Sequence, residues 1–128
     1  MERAIQVFAM INLVVIGLSH VVQPRAWAEF FVALRDKGDR GVFVVGFMSL
    51  AFGSLIVAFH NVWSGLPMVL TILGWAQVLK ALLYFTLPSY GLRKLGIVNV
   101  ERARMFVWPG LALLLIAGLL GYDLAVSG

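Results

Sequence analysis

The sequence predicts an all-α integral membrane protein, with four transmembrane helices arranged as two pseudo-repeated helical hairpins in a four-helix bundle. Three observations predict this class. The chain contains four long apolar segments, its basic residues are concentrated in two short stretches between them, and its composition is 62% hydrophobic but only 12% charged. The mean hydropathy of +0.97 also lies far from the balance of an ordinary soluble domain.

The apolar segments cover residues 4–22, 41–59, 66–87 and 105–122. A helix rises about 1.5 Å per residue, and the hydrocarbon core of a bilayer is about 30 Å thick, so about 20 residues cross it. Each segment is therefore long enough to span a membrane. With their connections the segments account for residues 1–128, so we expect a single integral membrane domain without a soluble domain.

The distribution of charge predicts the orientation of these helices. Four Lys or Arg residues lie in the connection 23–40 and four in the connection 88–104, whereas the loop 60–65 and the end of the chain have none. Because basic loops remain on the cytoplasmic side, we expect both basic connections inside and both termini outside. The net charge of +4 then reflects contact with lipid headgroups, and nucleic acid is not an expected partner.

Several classes of chemistry lack their residues. The chain has no cysteine, which excludes thiol chemistry, and its only histidines, His20 and His60, should lie near opposite faces of the membrane, His20 at the inner face and His60 at the outer. This separation argues against a haem held by both rings, and two histidines alone do not form a zinc site. No Asp or Glu lies within the apolar segments, so the carboxylate of a proton-coupled drug exporter is missing. We predict neither a metal nor a cofactor.

A weak internal repeat relates residues 1–64 to residues 65–128. At an offset of 64, Pro24 aligns with Pro88, Arg40 with Arg104, and Gly46 with Gly110. An even number of spans in each copy implies that both copies have the same orientation, with an axis along the membrane normal. Chance similarity between apolar segments is the alternative interpretation.

Local sequence predicts where the helices break. Pro24 and Pro88 should end the first and third spans, because proline disfavours helix in the residue before it. Residues 25–34 then fit a short amphipathic helix with its aromatic side chains toward lipid. Asp39 is a candidate N-cap for the second span, and Gly65 should adopt a positive φ in the following turn.

Small residues predict how the helices pack. Ser49 with Gly53, and Ala117 with Gly121, place two small side chains one turn apart on the second and fourth spans. Such pairs allow close backbone approach between membrane helices. We expect contacts inside the bundle, and an interface between copies of the chain is the alternative.

Polar residues within the spans are the candidates for function, since each is costly in hydrocarbon. One face of the third span carries Thr71, Gly74, Gln77, Lys80 and Tyr84, so it should turn inward. Lys80 has no acidic residue in any span to pair with it. Its side chain would either hold an anionic ligand or extend to the inner headgroups.

The first span offers a complement to this face. His20 is the repeat equivalent of Tyr84, and Gln23 lies one turn further along the chain. We therefore predict a ligand-binding cluster near the inner leaflet, and interfacial anchoring with helix–helix hydrogen bonds is the alternative. The cluster consists of His20, Gln23, Gln77, Lys80 and Tyr84.

A second candidate cluster lies in the outer turn at His60, Asn61 and Trp63. These residues form an H-N-x-W sequence, followed by G-W-x-x-x-x-K from Gly74 to Lys80. In this combination the chain resembles a family of small bacterial four-helix inner-membrane proteins. The resemblance implies four spans and a bacterial inner membrane, and it brings no activity to transfer.

The sequence favours a non-enzymatic function. The first hypothesis is a structural, accessory or regulatory membrane component whose partners are itself or other membrane proteins. The second is a binder or carrier of a lipid- or quinone-type molecule, apolar or anionic, held by the cluster around Lys80. An intramembrane enzyme is the third, although no nucleophile or base can be named for it.

Overall fold

The computed structural model describes residues 2–127, and these form six α-helices and one 3₁₀ segment. The helices are α1 (Glu2–Val22), α2 (Pro24–Asp36), α3 (Asp39–Phe59), α4 (Met68–Thr86), α5 (Pro88–Leu95) and α6 (Val107–Ser127), and the 3₁₀ segment Val100–Phe106 leads into α6. Four helices, α1, α3, α4 and α6, are long and apolar enough to cross a membrane. The predicted class, an all-α four-helix membrane protein, is confirmed.

The helix ends follow the local chemistry closely. α1 stops at Val22 and α2 starts at Pro24, while α4 stops at Thr86 and α5 starts at Pro88, as the two prolines predict. Gly65 has the expected positive φ, 71°. Most predicted span ends lie within two residues of the observed ones. The exception is α6, which continues to Ser127 because residues 123–127 contain neither proline nor glycine.

The start of α3 corrects one prediction. Asp39 is the first helical residue rather than the N-cap, and the N-cap position is occupied by Gly38 without a side-chain hydrogen bond. Gly38 has a φ of 67°, a conformation that favours glycine. The Asp39 carboxylate therefore acts through its charge in the first turn, where the helix dipole favours an anion.

The spanning helices pair in an order that differs from their order in the chain. α1 packs along α6, and α3 packs along α4, whereas α1 touches α3 only slightly and α4 touches α6 still less. The spans joined by a basic connection are thus not the ones in closest contact. A two-fold axis that exchanged the halves of the chain would carry one close pair onto the other. The sequence repeat itself stays a prediction.

Glycines at the points of contact explain why both pairs of helices approach so closely. A Cβ atom on Gly17 of α1 would lie 3.0 Å from the carbonyl oxygen of Gly110 on α6, and one on Gly53 of α3 would lie 2.8 Å from that of Gly74 on α4. Backbones approach so closely only where at least one partner is glycine. Ser49 and Ala117 are buried, so both predicted small-residue pairs take part in contacts inside the bundle.

The two basic connections meet at one end of the bundle, which we call the basic end. α2 packs against the 3₁₀ segment, α3 and α5 there, and Arg35 Nη1 donates a hydrogen bond to the Val98 carbonyl oxygen over 2.9 Å. α2 also corrects a prediction in part, because Leu34 and Phe31 pack on protein rather than lipid, whereas Phe30 stays exposed. Leu34 is only 6% exposed and belongs to a core cluster with Val42 and Tyr84.

Candidate functional site

A partly open cavity of about 240 Å³ lies in the basic half of the bundle, between α1, α3, α4 and α6. Its polar lining comes from three spans: His20 on α1, Ser49 on α3, and Gln77 and Lys80 on α4. Trp27 and Phe31 of α2 complete the wall at the basic end. The remaining lining residues are aliphatic, thioether or aromatic: Leu13, Ile16, Val45, Met48, Phe52, Leu73 and Leu113.

The helix pairing creates this space. Because α1 associates with α6 and α3 associates with α4, the seam between α1 and α3 is left with few contacts. Pro24 then turns the chain back so that α2 covers the seam at the basic end. Trp27 and Phe31, one helical turn apart on α2, face the same side and enter the gap.

His20 is held in a defined orientation on the cavity wall. Its Nδ1 lies 2.8 Å from the Ile16 carbonyl oxygen, an acceptor, so Nδ1 is the donor. The imidazole stacks on the Trp27 indole with centroids 4.1 Å apart, and Trp27 Nε1 donates to Ser19 Oγ over 2.8 Å. In the neutral ring Nε2 then remains as an acceptor, and it has no hydrogen-bond partner within residues 2–127.

Lys80 brings a cation to the same cavity. Its Nζ lies 5.5 Å from the centroid of the Tyr84 ring, a cation–π distance. In the described chain the ion pairs are Arg25–Glu29 and Arg35–Asp36, both within α2, and neither involves Lys80. Removing a cation from water without a counter-ion costs free energy. Within the described residues no ion pair with Lys80 offsets that cost.

The predicted inward face of α4 is confirmed by burial. Thr71, Gly74, Ala81 and Tyr84 are buried, and Gln77 and Lys80 are half-buried beside the cavity. The polar residues thus lie where the periodicity placed them.

The five residues of the predicted ligand-binding cluster do not all meet. His20, Gln77 and Lys80 line the cavity together. Tyr84 lies next to them through its ring contact with Lys80, but it packs in the core at the basic end. Gln23 is exposed at the junction of α1 and α2, and its backbone carbonyl accepts a bond from the Trp27 N–H.

Sequence reasoning missed three wall residues. Trp27 and Phe31 were predicted to face lipid, and Ser49 was assigned only to helix packing, yet all three line the cavity. Pro24, between His20 and Trp27, could have predicted the position of Trp27 in part. A helix that reverses at Pro24 brings the side chains just after the turn back toward the end of α1, which is where Trp27 meets Ser19.

The second candidate cluster, in the outer turn, forms a closed hydrogen-bond network at the opposite end of the bundle. His60 is completely buried; Gln6 Nε2 donates to its Nε2 over 3.0 Å, and its Nδ1–H donates to Thr71 Oγ1 over 2.9 Å. Thr71 Oγ1 also accepts from the Val62 backbone N–H. This chain of bonds joins α1, the turn and α4, and it requires a neutral imidazole.

The other two members of that cluster lie at the surface. Asn61 accepts a bond from Trp75 Nε1 over 3.1 Å and donates to the Val57 carbonyl, so it fixes the end of α3. Trp63 is exposed, as expected of an anchor at the membrane interface. Burial lowers the pKa of His60, although the Glu2 and Asp123 carboxylates act in the opposite direction.

Comparison of the chain with protein-family models, with curated protein sequences and with solved structures gives no match.

Proposed function

We propose that this small membrane protein binds or carries a hydrophobic molecule whose polar head presents an oxygen acceptor to Lys80. Carboxylates and quinones share this chemistry, with a full or a partial negative charge on oxygen. The observation that carries the proposal is the Lys80 ammonium in a largely apolar cavity, where no acidic side chain of the described residues pairs with it. An acceptor oxygen would supply the missing partner.

The polar neighbours support an oxygen-bearing head. The Gln77 amide can donate a hydrogen bond, and the ring of His20 offers a group that either accepts from a hydroxyl or, when protonated, donates to an anion. Both line the cavity with Lys80. Such a set binds one or two oxygens on a compact head.

The size of the cavity supports the same class of ligand. Its volume of about 240 Å³ lies below the roughly 300–1,000 Å³ that encloses a whole drug-sized molecule. A headgroup with one ring or one carboxylate fits that volume, whereas the rest of a lipid does not. The proposal therefore reverses the order of the two leading hypotheses from the sequence. A purely structural or accessory component, with Lys80 extended to headgroups, becomes the alternative outcome.

Replacing Lys80 by methionine should abolish ligand retention while the fold persists. The variant removes the charge but keeps an unbranched side chain, and a hydrogen bond to a charged group is worth enough for a loss of on the order of 10- to 100-fold in affinity. Native mass spectrometry from mild detergent should show a bound molecule in the parent protein. Equilibrium binding of dodecanoate and of a decyl-substituted benzoquinone then distinguishes the two head chemistries.

The matched control is Leu79→Met, which makes a similar change at the adjacent, lipid-exposed position of α4. It should leave retention unchanged. Equal occupancy in Lys80→Met and the parent would show that the ammonium holds no ligand, and would favour the structural alternative.

We further propose that the basic end faces the cytoplasm of a bacterial inner membrane, with both termini outside. The asymmetry of Lys and Arg between the loops supports this orientation. Because the chain has no cysteine, single cysteines report position cleanly. Lys37→Cys and Ser64→Cys, both at exposed positions, should react with an impermeant maleimide from opposite sides, with Ser64→Cys labelled in intact cells. Labelling of both from one side would contradict four spans in this arrangement.

A further inference from the structure

We infer that an apolar groove beside the cavity is the subsite for the ligand's tail, so that the ligand is a single-chain amphiphile entering sideways from the bilayer. The groove has a volume of about 280 Å³ and is lined by Ser19, Ala26, Trp27, Phe30 and Met48. This inference rests on the proposed function, because it assigns the head to the cavity around Lys80.

The groove adjoins the cavity, because Trp27 and Met48 line both spaces. A tail that leaves the cavity for the groove would pass these two side chains. The position is the same weakly packed seam between α1 and α3 that opens the cavity. The lining extends to the outer surface of the bundle, since Met48 is 45% exposed and Phe30 is 38% exposed. In a membrane that surface meets lipid chains.

The chemistry of the groove favours an apolar occupant. Its one hydroxyl, Ser19 Oγ, accepts the hydrogen bond from Trp27 Nε1, so the hydroxyl hydrogen of Ser19 is the one side-chain donor left in a lining that is otherwise apolar. A hydrocarbon chain, either a straight acyl chain or a methyl-branched isoprenoid chain, can pack against such a lining. A charged head would lose its hydration there and could gain only the Ser19 hydroxyl as a hydrogen-bond partner. The cavity offers the head what the groove does not: a cation that no acidic side chain of the described residues pairs with, in a wall that also carries an amide and an imidazole.

The lipid environment limits what this subsite contributes. Moving a hydrocarbon tail from the bilayer to the groove gains little free energy, because both surroundings are apolar. The groove therefore adds little binding energy of its own. Its effect is geometric: it gives the tail an exit while the head is held at Lys80. Blocking it should therefore discriminate against tailed ligands without affecting tail-less ones.

The test fills the groove with a bulky side chain. Ala26→Trp introduces an indole at an exposed position of α2, and Ala33→Trp makes the same change two turns further on the same helix, outside the groove. The probes are para-dodecylbenzoate and benzoate, and a decyl-substituted benzoquinone and its analogue without the decyl chain. Ala26→Trp should weaken both tailed probes on the order of tenfold. It should leave both tail-less probes unchanged, and Ala33→Trp should bind all four as the parent does.

Ala26→Leu, which fills the groove with a smaller side chain at the same position, provides a second variant if Ala26→Trp does not fold. Equal binding of tailed probes to the parent and to both groove variants would overturn the tail subsite. So would an equal loss of tailed and tail-less probes in a groove variant that folds. Lys80→Met keeps the two proposals apart, because it should lose tailed and tail-less probes alike. If Lys80→Met binds normally while the groove variants reject tails, the head assignment fails and the tail subsite stands.

Discussion

Gly41→Ala should destabilise the protein by about 3 kcal/mol or more, although alanine is the better helix former by about 1 kcal/mol. A Cβ atom at this position in the first turn of α3 would overlap the Leu34 carbonyl oxygen. That oxygen cannot swing away freely, because it accepts the hydrogen bond from Lys37 N–H that closes α2. The substitution must therefore push α2 away from α3.

Thermal unfolding in mild detergent measures this effect, and Gly118→Ala is the matched control. Gly118 lies in the middle of α6, and a Cβ atom there would meet nothing within 4 Å. The control should be neutral or slightly stabilising, since only helix propensity changes. Displacement of α2 should also loosen the wall formed by Trp27 and Phe31, so ligand retention should fall in Gly41→Ala. Equal stability of the two variants would show that α2 does not rest on the first turn of α3 as described.

His60→Leu should destabilise the protein by about 2–4 kcal/mol. The imidazole is fully buried and joins Gln6 to Thr71. Leucine would fill much of the volume but would leave the Gln6 amide without its partner, while Thr71 Oγ1 would keep only the bond from the Val62 N–H. A buried polar group that loses its partner costs about 1–3 kcal/mol. Unfolding in detergent measures the loss, and Asn61→Ala, at an exposed position of the same turn, should cost less than about 1 kcal/mol.

Two further results would show that the loss of stability in His60→Leu comes from the hydrogen bonds of His60 with Gln6 and Thr71. In Gln6→Leu combined with His60→Leu the loss should be smaller than the sum of the single losses, because one unpaired amide is removed as well. The lowered pKa of His60 means that the unfolded state binds a proton more readily than the folded state, so stability should fall as pH drops below about 6.5. His60→Leu should lack that part of the pH dependence. Additive losses would assign the effect to packing alone.

Most of the helix boundaries were predictable because they depend on neighbours in the chain. Pro24 and Pro88 interrupt the helices through their own rings, and Gly65 allows the positive φ of the outer turn. The Asp39 prediction failed at this same local level. The N-cap is one residue earlier because a chain that must return within two residues of α2 needs the left-handed conformation of Gly38.

The candidate site was predictable in part. Helical periodicity alone brings Gln77 and Lys80 to one face of α4, and the expected depth of His20 brings it to the same end. Gln23 was misplaced because the chain turns at Pro24 and leaves that side chain at the surface. The contribution of Trp27 depends on the direction in which α2 folds back, and local sequence does not encode that direction.

By itself the sequence determined that this chain crosses a membrane four times, because transfer of charge into hydrocarbon is costly wherever the chain sits. Only the tertiary structure decided which spans associate. In lipid, burying one apolar helix face rather than another changes the free energy little. The pairing of α1 with α6 and of α3 with α4 therefore depends on how closely the glycine-bearing backbones pack. That fit leaves the seam between α1 and α3 open, and the cavity and its groove lie in the seam.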